Sequence, residues 1–234
     1  MRKVWFITRP ERDPKFHVDA LRALKIAKGD FSTKWYGNRD VHKKYEEVLI
    51  SEGLKRENIS HDGSGGRTWV AMLRTFGYVY LNKDGYLVTT KVGEKLLNGE
   101  KVRKNITKQI LTLQIPNAYF LDSGFRPKFE DDFQIRPARF LIRLVNQSKL
   151  DYYVTKEEIT FFALTAKRDD ELSAVTQQIL KFRQSTDIEK EEIRESIAIN
   201  FEHRKRSDSA ARDFASAHGD VAHAIDDNEG TGGA

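Results

Sequence analysis

The chain has no cysteine among its 234 residues, which excludes disulfides, thiol nucleophiles and cysteine-ligated zinc. No apolar run approaches the ~20 residues that a membrane-spanning helix needs. The apolar stretch near the N-terminus, "VWFI", is too short for a signal peptide and has no small-residue cleavage site after it. These absences exclude disulfide-rich secreted scaffolds and membrane-spanning proteins, and they favour a reducing cytoplasm.

Signatures of catalysis are also missing. The chain has no Walker loop, no dinucleotide-binding GxGxxG and no GxSxG elbow. A PD-(D/E)xK nuclease would need an Asp followed by an acidic-x-Lys triplet to hold Mg²⁺, and the only such triplet here is Asp13-Pro14-Lys15, with no Pro-Asp before it. His218 and His223 are close together, but they lie in a low-complexity tail. We therefore predict no catalytic residue and no metal ligand in this chain, and keep an autonomous nuclease using Asp13 and Lys15 as an alternative.

Charge is distributed unevenly along the sequence. Residues 1–126 hold 24 Lys and Arg against 14 Asp and Glu, whereas residues 127–234 hold 16 against 21. A basic half favours a polyanionic partner, because neutralising phosphates drives affinity for nucleic acids. A Lys-rich solvated surface is the alternative at this point.

The basic half has a recognisable order of elements. Apolar periodicity predicts three helices, around "VDALRAL", "VHKKYEEVLISEG" and "RTWVAMLRTF". The hairpin "GYVYLNKDGYLVTT" follows, with Val79, Leu81 and Leu87 on its buried face and Tyr78 and Tyr80 on the other. Gly85 supplies positive φ in its turn, and Thr90 caps a fourth helix. This is the order of a winged helix-turn-helix, in which the third helix enters the major groove and the hairpin contacts the DNA backbone.

The third helix carries the first candidates for contact with DNA. Arg67, Thr68, Arg74 and Thr75 are predicted to lie away from its apolar stripe, and arginine suits bidentate contact with guanine. Before it, "GSGG" (63–66) could bind a phosphate at the helix N-terminus, but a flexible linker is the favoured interpretation. A basic helix with Ile106, Ile110 and Leu113 at helical spacing comes after the hairpin.

The acidic half predicts a helical block. Pro137 suits a helix start, and Thr155 with Glu158 has capping-box spacing. Leu172, Val175, Ile179 and Phe182 form one apolar stripe, and Ile193, Ile197 and Phe201 form another. Arg136, Arg139 and Lys149 are candidate contacts to a DNA backbone. After Arg206 the sequence becomes rich in Ala, Ser, Gly and Asp, which is typical of a linker or tail.

The predicted fold class is therefore mainly α with small β-hairpins (α+β). We expect a winged helix-turn-helix-like subdomain with an N-terminal arm over residues 1–117. A helical subdomain follows over residues 118–206, with a second winged-helix-like fold left open, and residues 207–234 form a linker or flexible tail.

With these features in hand, the sequence resembles the AlwI-type family of type IIS restriction and strand-nicking endonucleases of bacteria. The resemblance rests on ordered blocks: "VWFITRPERDP", "KWYGNRDVHKKYEEVL", "RTWVAMLRTFGYVYLNKDGYLVTTKVGEKLL" and "KQILTLQIPN". The helical run from "ARFLIRLVNQ" to "QQILKFR" continues it, so that it spans residues 3–205.

The resemblance implies a recognition region for a short asymmetric duplex site, such as GGATC or GAGTC, in a monomeric bacterial cytoplasmic protein. It implies that a nuclease domain, or a separate nuclease subunit, performs the cleavage. That nuclease would need Mg²⁺, and no cofactor is expected in this chain. The recognition role of the family carries over to four parts of this sequence: an arm over residues 9–15, a turn over residues 35–39, the third helix and the wing. A module that docks a nuclease subunit through its acidic half is a further alternative.

Two sets of residues are candidates for contact with DNA. The candidates for contact with bases are Arg9, Arg12, Lys34, Asn38, Arg39, Arg67, Thr68 and Arg74. The candidates for contact with phosphates are Lys15, Lys83, Lys91, Lys101, Arg103, Lys104 and Lys108.

Overall fold

The computed structural model describes residues 3–5, 13–56, 58–117, 119–120 and 129–201. The chain divides into two compact units, residues 8–110 and residues 1–7 with 111–234. The described residues are mainly helical, with one antiparallel two-stranded sheet, so the predicted α+β class is confirmed. None of their helices is both long enough and apolar enough to cross a bilayer.

The first unit contains the predicted succession of helices and strands. Its elements are a short 3₁₀ turn Pro14–Phe16, α1 His17–Ala27, α2 Arg39–Ser51, α3 Ser64–Thr75, β1 Val79–Leu81, β2 Leu87–Thr89, α4 Lys91–Leu97 and α5 Val102–Thr112, whose last two residues belong to the second unit.

Local capping chemistry sets several of these boundaries. The Asn38 side chain accepts from the Val41 N–H at 3.2 Å and starts α2. The Thr90 hydroxyl accepts from the Gly93 N–H at 3.1 Å and starts α4, as predicted. Gly53, with φ of 69°, follows the end of α2 in the left-handed conformation that glycine tolerates best.

The core of the first unit lies where α1 packs against α2 and α3. The Tyr45 hydroxyl, fully buried on α2, donates to the Ala20 carbonyl oxygen of α1 at 2.9 Å. Because a buried hydroxyl without a partner is costly, this bond fixes how α1 and α2 meet. The apolar side chains buried with it are Leu21, Leu24, Leu49, Trp69, Leu73 and Phe76.

The hairpin pairs Val79 with Thr89 and Leu81 with Leu87. Val79 and Leu87 are buried and Tyr80 is exposed, as the alternation predicts. The expectation for Tyr78 was wrong, because its side chain is fully buried before β1 begins. Its hydroxyl lies 2.8 Å from Nδ1 of the buried His17, and this pairing satisfies a phenol inside the core.

The regular elements of the second unit are all helical within its described residues, apart from isolated bridges between Ile115 and Ile135 and between Gln134 and Arg168. Its helices are α6 Pro137–Val145, α7 Lys156–Phe161, α8 Leu172–Gln184 and α9 Asp187–Phe201. Short 3₁₀ turns occupy Ser148–Leu150, Ala163–Thr165 and Asp169–Glu171.

The predicted capping box starts α7. The Glu158 N–H donates to Thr155 Oγ1 at 3.1 Å, and the Thr155 N–H donates to Glu158 Oε2 at 2.8 Å. Arg183 Nε donates to Glu158 Oε1 at 2.6 Å. Burial raises the pKa of Glu158, but the hydrogen bonds from Arg183 and Thr155 outweigh it and hold this pKa below its ordinary value.

The apolar core of the second unit confirms the predicted stripe of α8, whose Leu172, Val175, Ile179 and Phe182 are all buried. It also contains Trp5, whose N–H and Nε1–H donate to Leu164 O at 3.1 Å and Ala163 O at 3.0 Å. We expected the N-terminal arm to belong with the winged-helix-like subdomain. The structure instead places Val4 and Trp5 in the second unit, because the indole finds both an apolar pocket and a carbonyl partner there. The predicted tail over residues 207–234 lies outside the described residues.

Candidate nucleic-acid interface

The glycines at the start of α3 allow an unusually close approach of α2 and α3. A Cβ on Gly66 would lie 2.3 Å from the His42 carbonyl oxygen, and one on Gly63 would lie 2.6 Å from the His42 Cβ. Gly63 also has φ of 72°, which other residues rarely adopt. The favoured interpretation of "GSGG" as a flexible linker was therefore wrong, since Ser64–Gly66 is the first turn of α3.

A buried carboxylate fills the N-terminus of α3. Glu46, fully buried on α2, accepts from the Ser60 N–H at 3.0 Å, from the Ser60 hydroxyl and from the Gly66 N–H, and its Oε2 lies 3.3 Å from Lys55 Nζ. Burial raises the pKa of Glu46, but these hydrogen bonds outweigh it and keep the pKa below its ordinary value. The Gly65 N–H donates to Ser60 Oγ at 3.0 Å. Because side chains of the protein already accept from these amides, the idea of a phosphate site at this helix end was also wrong.

The connector between α1 and α2 lies against the turn of the hairpin. The N–H groups of Trp35 and Tyr36 each donate to the Gly85 carbonyl oxygen at 2.9 Å. A Cβ on Gly85 would lie 2.8 Å from both Lys34 Cε and Tyr36 Cβ. Gly85 therefore serves two purposes, since its φ of 87° closes the turn and its missing side chain makes room for Lys34.

The end of the same connector lies close in space to the start of α3. Asn38 Nδ2 donates to the Lys34 carbonyl oxygen at 3.1 Å, while its Oδ1 caps α2. The Arg39 carbonyl oxygen lies 3.3 Å from where a Gly63 Cβ would be. Lys34 and Arg39 are exposed. We call the surface made by Lys34, Asn38, Arg39, Arg67 and the hairpin turn 82–85 the connector-wing surface.

Arg67 stands on the first turns of α3, held by its neighbours. Its Nη2 lies 2.8 Å from Asp62 Oδ2, and its Nη1 donates to the Asp62 carbonyl oxygen at 2.8 Å. Nη1 also lies 3.4 Å from Nδ1 of His42. The side chain remains 42% exposed, so it is fixed in orientation and still accessible.

The rest of α3 is more enclosed than its sequence predicts. The Thr68 hydroxyl donates to the Ser64 carbonyl oxygen at 2.7 Å, and Arg74 is half-buried. The expectation that Thr75 faces outward was wrong, because its side chain is buried, as are Val70 and Ala71. The accessible part of α3 is thus its N-terminal end, the part that meets base edges in helix-turn-helix proteins.

The remaining candidates are spread over the first unit. Lys83 is exposed in the hairpin turn and thus on the connector-wing surface, and Lys91 is exposed at the start of α4. Lys15 is exposed and pairs with Asp13 at 3.1 Å. The exposed basic side chains of α5 and of the turn before it are Lys101, Arg103, Lys104 and Lys108. Arg9 and Arg12 lie outside the described residues.

Among the residues of the second unit that are candidates for contact with a DNA backbone, Arg139 and Lys149 are exposed. Arg136 Nη1 instead lies 3.0 Å from Asp169 Oδ2, and its N–H donates to Asp169 Oδ1 at 2.9 Å.

Sequence reasoning missed three side chains that support this surface, His42, Glu46 and Asp62, and included Tyr36 only as part of the turn over residues 35–39. Tyr36 is 70% exposed beside the hairpin turn. His42 and Glu46 appear in the sequence as polar residues of an amphipathic helix. The signal that could have revealed them is the pair Gly65-Gly66, because two glycines in a first helical turn indicate a close neighbour.

The residues of the alternative nuclease site have a structural role. The Asp13 carboxylate accepts from the Lys15 N–H at 3.0 Å and caps the 3₁₀ turn that precedes α1, and this bond lowers the pKa of Asp13. Within the part of the chain that the structure describes, no three His, Asp or Glu side chains converge as metal ligands would. His218 and His223 lie outside that part.

These features define a class of protein, a small basic α+β unit with an accessible helix N-terminus beside a two-stranded hairpin, joined in one chain to a second, helical unit. The chain matches the family described as "Restriction endonuclease BpuJI - N terminal" over residues 66–226, that is, from the first turn of α3 through most of the second unit. The chain belongs to this family of restriction-endonuclease N-terminal regions. No curated protein matches it.

Proposed function

We propose that this chain binds double-stranded DNA in a sequence-specific manner and serves as the target-recognition part of a type IIS restriction or nicking endonuclease. Membership of a restriction-endonuclease N-terminal family supports DNA as the partner. The charge of the first unit supports it as well, since residues 8–110 carry 21 Lys and Arg against 13 Asp and Glu.

The observation that carries the proposal is the connector-wing surface. Hydrogen bonds from Trp35 and Tyr36 to Gly85 hold the connector to the hairpin turn, and Arg39, the first residue of α2, lies against Gly63 just before α3. The segments that carry these exposed cations, namely the connector, the turn and the helix end, are thereby held next to one another. In the proposed winged helix, the N-terminal end of α3 enters the major groove and the hairpin follows the adjacent backbone.

The individual roles follow from position and chemistry. Arg67 and Arg39 contact bases, since a guanidinium matches guanine O6 and N7. Lys34 and Lys83 contact phosphates beside the hairpin turn, and Tyr36 packs along the backbone there. Cleavage then belongs to a nuclease domain or subunit with its own Mg²⁺.

The test is selection of binding sites from a randomised duplex library at about 150 mM salt, where non-specific phosphate attraction is weakened. We expect one short asymmetric motif, bound at least ~10³-fold more tightly than a scrambled duplex. Equal affinity for both duplexes, fading together as salt rises, would disprove sequence-specific recognition. Nicking of supercoiled plasmid by the purified chain with Mg²⁺, lost in Asp13→Ala, would favour the autonomous nuclease instead.

Arg39→Ala and Arg56→Ala form a matched pair for locating the surface. Both arginines are exposed; Arg39 is the first residue of α2, whereas Arg56 lies five residues past the end of α2 and is not part of the connector-wing surface. Arg39→Ala should weaken binding of the selected site about 5- to 100-fold, the range expected for one base or phosphate contact. Arg56→Ala should leave affinity within about twofold. Equal losses from the two variants would mean that general charge, and not the connector-wing surface, drives binding.

A further inference from the structure

Arg67 is anchored by its neighbours as well as exposed, and a role for these anchors in DNA recognition rests on the proposed function. Asp62 receives two bonds from this one side chain, Nη2 to Oδ2 and Nη1 to its carbonyl oxygen, each 2.8 Å long. Asp62 is itself fixed, because its Oδ1 accepts from the Ser64 N–H at 3.0 Å. The guanidinium is therefore anchored to the backbone at the start of α3.

His42 supplies a second anchor, and its tautomer follows from its partners. Its Nε2 lies 2.9 Å from the Trp35 carbonyl oxygen, which can only accept, so Nε2 carries the hydrogen. Nδ1 is then an acceptor, and it faces Arg67 Nη1 at 3.4 Å. Burial lowers the pKa of His42, which favours this neutral form.

Three of the five N–H bonds of Arg67 are thus directed at Asp62 and His42. The other two are Nε–H and one N–H on Nη2, which belong to adjacent nitrogens of the same planar group. Two parallel donors on adjacent nitrogens are what guanine O6 and N7 accept in the major groove. A free arginine would have to lose rotamer entropy to reach this arrangement, whereas Arg67 has it before DNA arrives.

We propose that Asp62 is a positioning residue that, together with His42, orients Arg67 towards a guanine and so determines specificity at one base pair. A second consequence follows from its charge. Because a carboxylate beside a DNA surface repels phosphates, Asp62 weakens binding to sequences that do not offer this guanine.

The test compares Asp62→Asn with the unmodified full chain. Affinity is measured by fluorescence anisotropy on the selected duplex, on its single-base-pair variants and on a scrambled duplex. The Asn side chain keeps an oxygen for the Ser64 N–H but loses the charge that holds Arg67. Discrimination at one base pair should fall about 5- to 100-fold, the range of one bidentate contact. Affinity for the scrambled duplex should stay equal or rise, an opposite change that mere loss of structure would not produce.

Asp19→Asn is the matched control. Asp19 forms an exposed ion pair with Arg22 on α1, at 3.2 Å, so its substitution removes the same charge from the same unit. It should leave discrimination at every base pair unchanged. Arg67→Lys is a second variant, since it keeps the charge but cannot make a bidentate contact. It should lose discrimination at the same base pair and retain its affinity for the scrambled duplex.

The outcomes separate this inference from the proposed function. A selected motif that Asp62→Asn discriminates as well as the unmodified chain would overturn the positioning role alone. A uniform loss over all duplexes in Arg67→Lys, with base preference unchanged, would also overturn it, because Arg67 would then be a phosphate contact. Absence of any preferred motif for the unmodified chain would overturn the proposed function, and this inference with it.

Discussion

Lys28 illustrates at the scale of a single residue how burial sets a chemical property. It follows the last residue of α1 with its side chain fully buried, and Nζ donates to the Thr33 carbonyl oxygen. Burial disfavours the ammonium and lowers the pKa of Lys28 from 10.5 to about 8. At neutral pH the folded protein therefore holds the Lys28 ammonium in a buried environment that destabilises its charge.

We expect the stability of the first unit to increase in mildly alkaline solution because of Lys28. The unfolded chain keeps a lysine pKa near 10.5, so between about pH 8 and 10.5 it binds more protons than the folded chain. The free energy of unfolding then rises with pH over this window, by up to about 3 kcal/mol. Denaturant titrations at several pH values measure it.

Lys28→Met is the comparison for this prediction, since it keeps most of the length of the side chain without the charge. The variant should be more stable than the unmodified chain near pH 7, and the difference between the two should shrink as pH rises. Two curves that stay parallel from about pH 7 to 10 would show that Lys28 is not the group responsible.

At the scale of elements, the hairpin depends on its turn as much as on its strands. Its strands have only three residues each, Val79–Leu81 and Leu87–Thr89, and so short a pair is marginal by itself. The connector adds two backbone hydrogen bonds at Gly85, and Asn82 Oδ1 accepts from the N–H groups of Asp84 and Tyr86 at 3.1 and 2.8 Å. These bonds hold the turn in the place that the proposed DNA contacts require.

Gly85→Ala should lower the free energy of unfolding more than Gly53→Ala does, although both glycines have positive φ. Both Gly85 and Gly53 have positive φ, but a Cβ would meet Lys34 and Tyr36 only at Gly85 and open space at Gly53. We expect Gly53→Ala to cost about 1 kcal/mol of unfolding free energy through backbone strain, and Gly85→Ala about 1 kcal/mol more through the contact. Thermal and denaturant unfolding of the two variants measure the difference, and equal losses would mean that Lys34 and Tyr36 yield freely.

The helices show how much of an element is predictable. Thr90 as a cap, the capping box of Thr155 and Glu158, and the apolar stripe of α8 are confirmed, because each depends on residues a few positions apart. Tyr78 and Thr75 were misjudged, because the elements that cover them come from elsewhere in the chain.

At the scale of the whole molecule, one of the two compact units is made from two separate segments of the chain. Residues 1–7 belong with the unit that begins at residue 111. Trp5 is the reason that the structure gives, since it is 3% exposed and both of its N–H groups donate to carbonyl oxygens of Ala163 and Leu164. The N-terminus therefore contributes to the core of the second unit.

Trp5→Ala should destabilise the second unit selectively. Removing a buried indole costs about 3–5 kcal/mol, and it also leaves the carbonyl of Ala163 without this donor. Hydrogen exchange should lose protection in α6–α8, while α1–α3 keep theirs. Equal loss of protection in α1–α3 would contradict the division into these two units.

What the sequence by itself determined about this protein is the part that depends on neighbours along the chain. The α+β class, the order of helices and hairpin, the caps and the basic first half all follow from periodicity, turn chemistry and composition. Only the tertiary structure decided that Gly65 and Gly66 serve the contact of two helices, that Glu46 occupies the N-terminus of α3, and that Asp62 and His42 hold Arg67. The physical reason is that burial, close approach and hydrogen-bond pairing are properties of groups brought together by folding, and most of these pairs are separated by 14 to 25 positions in the chain.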